Sequence, residues 1–139
     1  MSGRLLGVDF GEKRIGLAIS DALGISAREL AILQSRGASQ DFAAIIEIAM
    51  RERAVALVVG VPVNPNAPAG IATQADTVRD WITDLRNATD LPVHEISEYL
   101  TSEEARNMAR MLRRGAHEPI DDLAACVILQ SFLDARSRL

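Results

Sequence analysis

The run Leu5-Leu6-Gly7-Val8-Asp9-Phe10-Gly11-Glu12-Lys13-Arg14-Ile15-Gly16-Leu17-Ala18-Ile19-Ser20-Asp21 constrains the fold more than any other part of this chain. Two apolar stretches, residues 4–10 and 14–20, flank a Gly11-Glu12-Lys13 turn, the pattern of a β-hairpin. Asp9 stands near the end of the first strand. A carboxylate at the end of a core strand is costly to bury unless it is paired or binds a metal. The plainer alternative is an Asp that caps its own turn. The neighbouring cations weigh toward a site. Of the 15 Lys and Arg residues, every one except Lys13 is an arginine, and that lysine lies in this turn beside Arg14. An otherwise arginine-only chain that keeps a compact, mobile ammonium here points to a use for it.

At 139 residues the chain is expected to form one domain, residues 1–139, with a real core. No stretch approaches the ~20 apolar residues of a membrane span, and no signal sequence is apparent. The single cysteine, Cys126, lies in an apolar run and reads as a small buried hydrophobe, which fits a reducing cytoplasm. A net charge of −4 argues against nucleic-acid binding through the global field, so such a partner must meet a local basic patch.

Further along, a weaker strand is expected within Arg28–Gln34. A helix follows, with Ser39 as its cap and Phe42, Ile45, Ile46 and Ala49 at helical spacing. Ala54–Val59 is continuously apolar and β-branched, as in a strand buried on both faces. It leads into Gly60-Val61-Pro62-Val63-Asn64 and a Pro/Ala/Gly-rich loop. A helix is predicted from about Ala72 to Arg86 and a strand over Leu91–Glu98. Thr101 and Glu104 form a capping box for a helix ending near Gly115, and Pro119 suits the first turn of a last helix through about Ala135. Three antiparallel strands followed by helix-linked parallel strands make a mixed α/β sheet flanked by helices, the order of the ribonuclease H-like fold.

Metal-dependent phosphodiester cleavage needs hard oxygen ligands. Asp9, Glu98 and Asp121 lie where this order of elements could gather them, Glu98 on a last strand expected beside the first. Asp121 falls in the first turn of the last helix, where the dipole favours its ionised form. Each also has a structural reading, as an exposed strand end or a helix-terminal acid. Arg106, Arg110 and Arg113 share one helix face, with Arg114 alongside. They suit either a solvated stripe or a track for a phosphate backbone. Asn64 could reach a substrate or be a turn residue, and Tyr99 is a base-stacking candidate. His94 and His117 lack zinc-ligand spacing, and no serine sits in a nucleophile elbow.

Three motifs resemble the YqgF family, bacterial proteins also described as pre-16S rRNA nucleases or Holliday-junction-resolvase-like proteins. They are Gly7–Ala18, Val59–Asn64 and Ile120–Gln130, and the similarity spans essentially the whole chain. The resemblance implies a ribonuclease H-like fold, a cytoplasmic location, processing of the 5′ end of pre-16S rRNA, and Asp9, Glu98 and Asp121 as the acidic trio. These would hold Mg²⁺ or Mn²⁺, with Lys13 and Arg14 neutralising the scissile phosphate. The expected partner is structured RNA, with branched DNA as the alternative. One motif departs: the family's Asp-Glu-Arg-Leu-Thr reads Ser97-Glu98-Tyr99-Leu100-Thr101 here. An acid lost at Ser97, if it oriented a ligand, would lower metal affinity by about 10–100-fold. A nucleic-acid-binding module with impaired catalysis is therefore the other class of reading.

Overall fold

The computed structural model describes residues 3–63, 70, 72–98 and 121–137. Strands β1 (Arg4–Asp9), β2 (Arg14–Ser20) and β3 (Ala27–Gln34) come first, then helix α1 (Ala38–Arg51) and strand β4 (Ala54–Pro62). Helix α2 (Gln74–Ala88), strand β5 (Val93–Glu98) and helix α3 (Asp121–Ser137) complete the described elements. The five strands form one sheet in the order β3-β2-β1-β4-β5. β1 pairs antiparallel with β2 and parallel with β4, and β4 pairs parallel with β5. This is the expected mixed sheet, with one correction. β5 does not lie beside β1, because β4 occupies that place. The strand richest in fully buried apolar side chains takes a central position, and half-polar β5, with its alternating exposure, takes the edge.

Local chemistry explains most element boundaries. The hairpin turn is tight, and a β-carbon at Gly11 would run into the Arg14 carbonyl oxygen. Helix α2 opens on a capping box: Thr73 Oγ1 accepts from the Asp76 N–H at 3.3 Å and Asp76 Oδ2 accepts from the Thr73 N–H at 2.9 Å. Sequence periodicity placed this start two residues early. Ser39 is not the cap of α1. That position falls to Gly37, at φ 105°, with no side-chain cap bond, and Ser39 lies inside the first turn. The helix expected to open at Thr101 and the Pro119 turn lie outside the described residues.

The sheet divides the core in two. On one face Leu6, Val8, Ile15, Leu17 and Ile19 pack with α1 and α2 around Trp81. On the other, Leu5, Ala18, Ala56 and Val58 meet Ala125, Ile128, Leu129 and Leu133 of α3. The approach of α3 is close enough to need glycines beneath it. A β-carbon at Gly7 would stand 2.8 Å from Leu129 Cβ and 3.0 Å from the Ala125 carbonyl, and one at Gly60 would stand 2.5 Å from Ile128 Cδ1. At its far end α3 lies over the β2–β3 turn, where Leu133 and Arg136 are the neighbours of Gly24. That turn borders the start of β1, since the Gly3 N–H donates to the Ala22 carbonyl at 2.9 Å. Helix α3 therefore runs antiparallel to β1, and its N-terminus stands at the end of the sheet where β1, β4 and β5 finish.

Candidate active site

Side chains alternate between the two faces of a strand, so each acid can be placed by its neighbours. On β1, Leu6 and Val8 belong to the α1/α2 side, whereas Leu5 and Gly7 face α3. Asp9 continues the α3 face. On β5, the His94 ring stacks on Phe132 of α3 with centroids 5.3 Å apart, and Ile96 packs against the same layer. Glu98, two residues on, also takes the α3 face. Both acids are half-buried. Asp121 is the first residue of α3, at this same end of the sheet. One face and one end of the sheet thus hold Asp9, Glu98 and the start of the helix that begins with Asp121.

The register gives the spacing of the two strand acids. Val8 pairs with Val59 and Glu98 with Pro62, with β4 between. Adjacent strands lie about 4.8 Å apart, so the β1 and β5 backbones are roughly 10 Å apart, with Glu98 staggered about 7 Å farther along. Among the described residues no three His, Cys, Asp or Glu side chains form a ready metal cluster. The donor set still fits a hard divalent ion, because carboxylate oxygens are what Mg²⁺ and Mn²⁺ prefer.

Contacts behind Asp9 hold its strand end in place. Phe10, pointing to the other face, meets Trp81 of α2 with centroids 4.8 Å apart, and Phe42 meets Trp81 at 5.3 Å. Sequence reading gave Phe10 no role; its signal was an aromatic immediately after a strand-end acid. Opposite Asp9 across the hairpin is Gly16, a position that carries no side chain of its own. Arg14, two residues before Gly16, shares the α3 face, and both Lys13 and Arg14 are exposed at the hairpin end.

Ser97 corrects an expectation. It pairs with Val61, which belongs to the α1/α2 core, so Ser97 lies on the opposite face from Glu98 and is exposed. An acid lost there would not have stood beside the Glu98 carboxylate, and the expected loss of metal affinity through Ser97 has no geometric basis. Cys126 is half-buried, packed in the α3 layer, with its Sγ 3.4 Å from the Ala27 carbonyl, as a small core residue would be. Asn64, Tyr99, Arg106, Arg110, Arg113 and Arg114 lie outside the described residues. No described helix is long and apolar enough to cross a membrane.

A family model described as RuvX, Holliday junction resolvase, matches residues 3–135. A protein of Moorella thermoacetica is 40% identical over 134 residues, covering 94% of each chain. One of Symbiobacterium thermophilum is 39% identical over 137 residues, covering 96% of this chain and 94% of its own. Both bear the name "Putative pre-16S rRNA nuclease". Among solved structures, Thermus thermophilus RuvC in complex with Holliday junction substrate aligns with a TM-score of 0.64 at 18% identity, covering 98% of this chain and 96% of that one. The fowlpox virus Holliday junction resolvase aligns at 0.56 and 14%, covering 95% and 99%. At such identities these structures share the fold, the ribonuclease H-like mixed sheet expected from the order of elements.

Proposed function

Because this chain belongs to the RuvX family of nucleases, we propose that it hydrolyses phosphodiester bonds in structured RNA, with the 5′ end of pre-16S rRNA as substrate. The observation that carries this is the placement of Asp9, Glu98 and the N-terminus of α3 on one face, at one end of the sheet. The names borne by relatives near 40% identity support the RNA assignment. Asp9 and Glu98 present carboxylate oxygens from two strands of one sheet face, with β4 between them. Asp121 adds a third at a helix N-terminus, where the dipole favours its charged form. When Mg²⁺ or Mn²⁺ is bound, the ion supplies the Lewis acidity that activates water and offsets charge on the leaving oxygen. Lys13 and Arg14 set positive charge beside the strand end, where the phosphate gains charge in the transition state. Asn64, Arg106, Arg110 and Arg113 hold the flanking backbone. Such a reaction belongs in the bacterial cytoplasm.

Branched DNA is the second substrate, favoured by the family model's own description. The test is cleavage of end-labelled 5′-extended 16S precursor and of a four-way DNA junction, each with Mg²⁺, Mn²⁺ or chelator. Metal-dependent shortening of the RNA by the parent protein, and none by Asp9→Asn, is expected. Cleavage of the junction alone would move the substrate to DNA. Metal-independent binding without cleavage of either would make the chain a binding module.

A further inference from the structure

Asp41 is 5% exposed, although it sits in the opening turns of α1 at the β3 edge of the sheet. A buried carboxylate is unfavourable unless hydrogen bonds replace its lost water. Asp41 takes them from the segment preceding its helix. Oδ2 accepts from the Ser35 hydroxyl at 2.6 Å, and Oδ1 accepts from the Arg36 N–H at 2.9 Å. Neither bond caps α1, whose N-cap is Gly37. The buried carboxylate therefore fixes the corner at residues 35–37 and leaves the N-cap of its own helix to Gly37, which makes no side-chain cap bond. That corner holds the cationic hairpin: the Ser35 N–H donates to the Lys13 carbonyl at 2.9 Å, and Gln34 pairs with Arg14. An unbroken path of hydrogen bonds thus runs from Asp41 through Ser35 to the backbone of Lys13.

We infer that Asp41 is a positioning residue for the nuclease reaction, acting through Ser35 to hold Lys13 and the hairpin end against the strand end that carries Asp9. This rests on the role given to Lys13 above. Fixed charge stabilises a transition state because it need not reorganise when the reaction occurs, and a displacement of about 1 Å can cost up to about 100-fold in rate. An exposed lysine on a turn has no packing of its own to supply that fixity. The backbone beneath it must do so, and Ser35 holds that backbone from one side.

The test uses the full chain and two gentle substitutions. Asp41→Asn keeps the size of the side chain and removes its charge, whereas Ser35→Ala deletes only the hydroxyl donor. Hydrogen exchange of the Ser35 amide should quicken about tenfold in both, with β1 amides unchanged. Turnover of the RNA should fall about five- to tenfold, with KM held within about twofold. In a Lys13→Ala background neither substitution should lower turnover further, because residues acting as one unit are not additive. Fully additive losses would overturn the inference, since they mark an effect on the fold and not on Lys13. Unchanged Ser35 exchange would overturn it as well. Lys13→Ala turning over as fast as the parent would remove the role of Lys13 and the inference with it. A parent protein that cleaves no nucleic acid would overturn the nuclease reading itself, a result distinct from an active parent with additive losses.

Discussion

Asp9 follows four buried residues and precedes an aromatic that packs on the opposite face, so its carboxylate is held where the core ends. If it binds a divalent ion, that ion stabilises only the folded chain. At 100 times its dissociation constant the gain is about 2.7 kcal/mol, or roughly 5–10 °C in Tm for a chain of this size. The parent is expected to show that rise with Mn²⁺ and Asp9→Asn to lose it, which paired thermal melts would measure. A mutant that rises as the parent does would place the metal elsewhere. Asp21 is an acid of another kind. Its Oδ1 accepts from the Ile25 N–H at 2.7 Å and from the Ser26 N–H at 3.4 Å, bonds that hold its carboxyl below the ordinary value, the Ile25 bond foremost. A depressed folded pKa means that the bonds help the fold at neutral pH and are lost as pH falls through that lowered value. The Ile25 amide resonance should therefore titrate with a midpoint below 3.8, and Asp21→Asn should abolish the titration.

Helix α3 presses on the sheet at Gly7 and Gly60, and each glycine stands where a side chain would have to displace it. Gly60→Ala should cost about 1–3 kcal/mol through overpacking. Ile128→Val removes the Cδ1 atom that the new methyl would strike at 2.5 Å, so the double mutant should recover part of the loss. Denaturant unfolding of the two single mutants and the double would measure that coupling. Additive losses would mean that the helix is not seated there. These glycines also mark what could and could not be read from the sequence. The hairpin, the twice-buried fourth strand and the α2 face declared themselves through apolar period and turn residues, because those signals are local. The order of β4 and β5 did not, since adjacency in a sheet is settled by which strand buries more, not by position along the chain. Gly60 looked like part of a ligand loop because nothing local distinguishes a glycine needed by a substrate from one needed by a helix 68 residues later. Asp41 was invisible for the same reason: its partners are a corner and a hairpin, and its own spacing suggests only a helix-terminal acid.

At the scale of the molecule, a net charge of −4 repels a polyanion at long range, so attraction must be local. If Arg106, Arg110 and Arg113 supply it, replacing Arg110 and Arg113 by Gln should reduce the salt slope of RNA binding by about one to two, with folding hardly changed. An unaltered slope would return them to a solvated face. Nucleic-acid binding by filter retention across a salt series would measure this. The layering of the sheet carries a further consequence, one of timing. β1 emerges first from the ribosome, yet it lies at the centre of the sheet and pairs with β4, whose first residue is 54. Among the described residues, its α3 face is covered by a helix that begins at Asp121. Contacts of such long sequence separation close late in folding. A chain still being synthesised thus carries β1 in an unfinished sheet, and the start of α3 joins Asp9 and Glu98 at this end of the sheet only once the last described helix has been made. On the proposed reading, the site is completed only after that helix is made, in a chain synthesised beside the very class of RNA we propose it cuts.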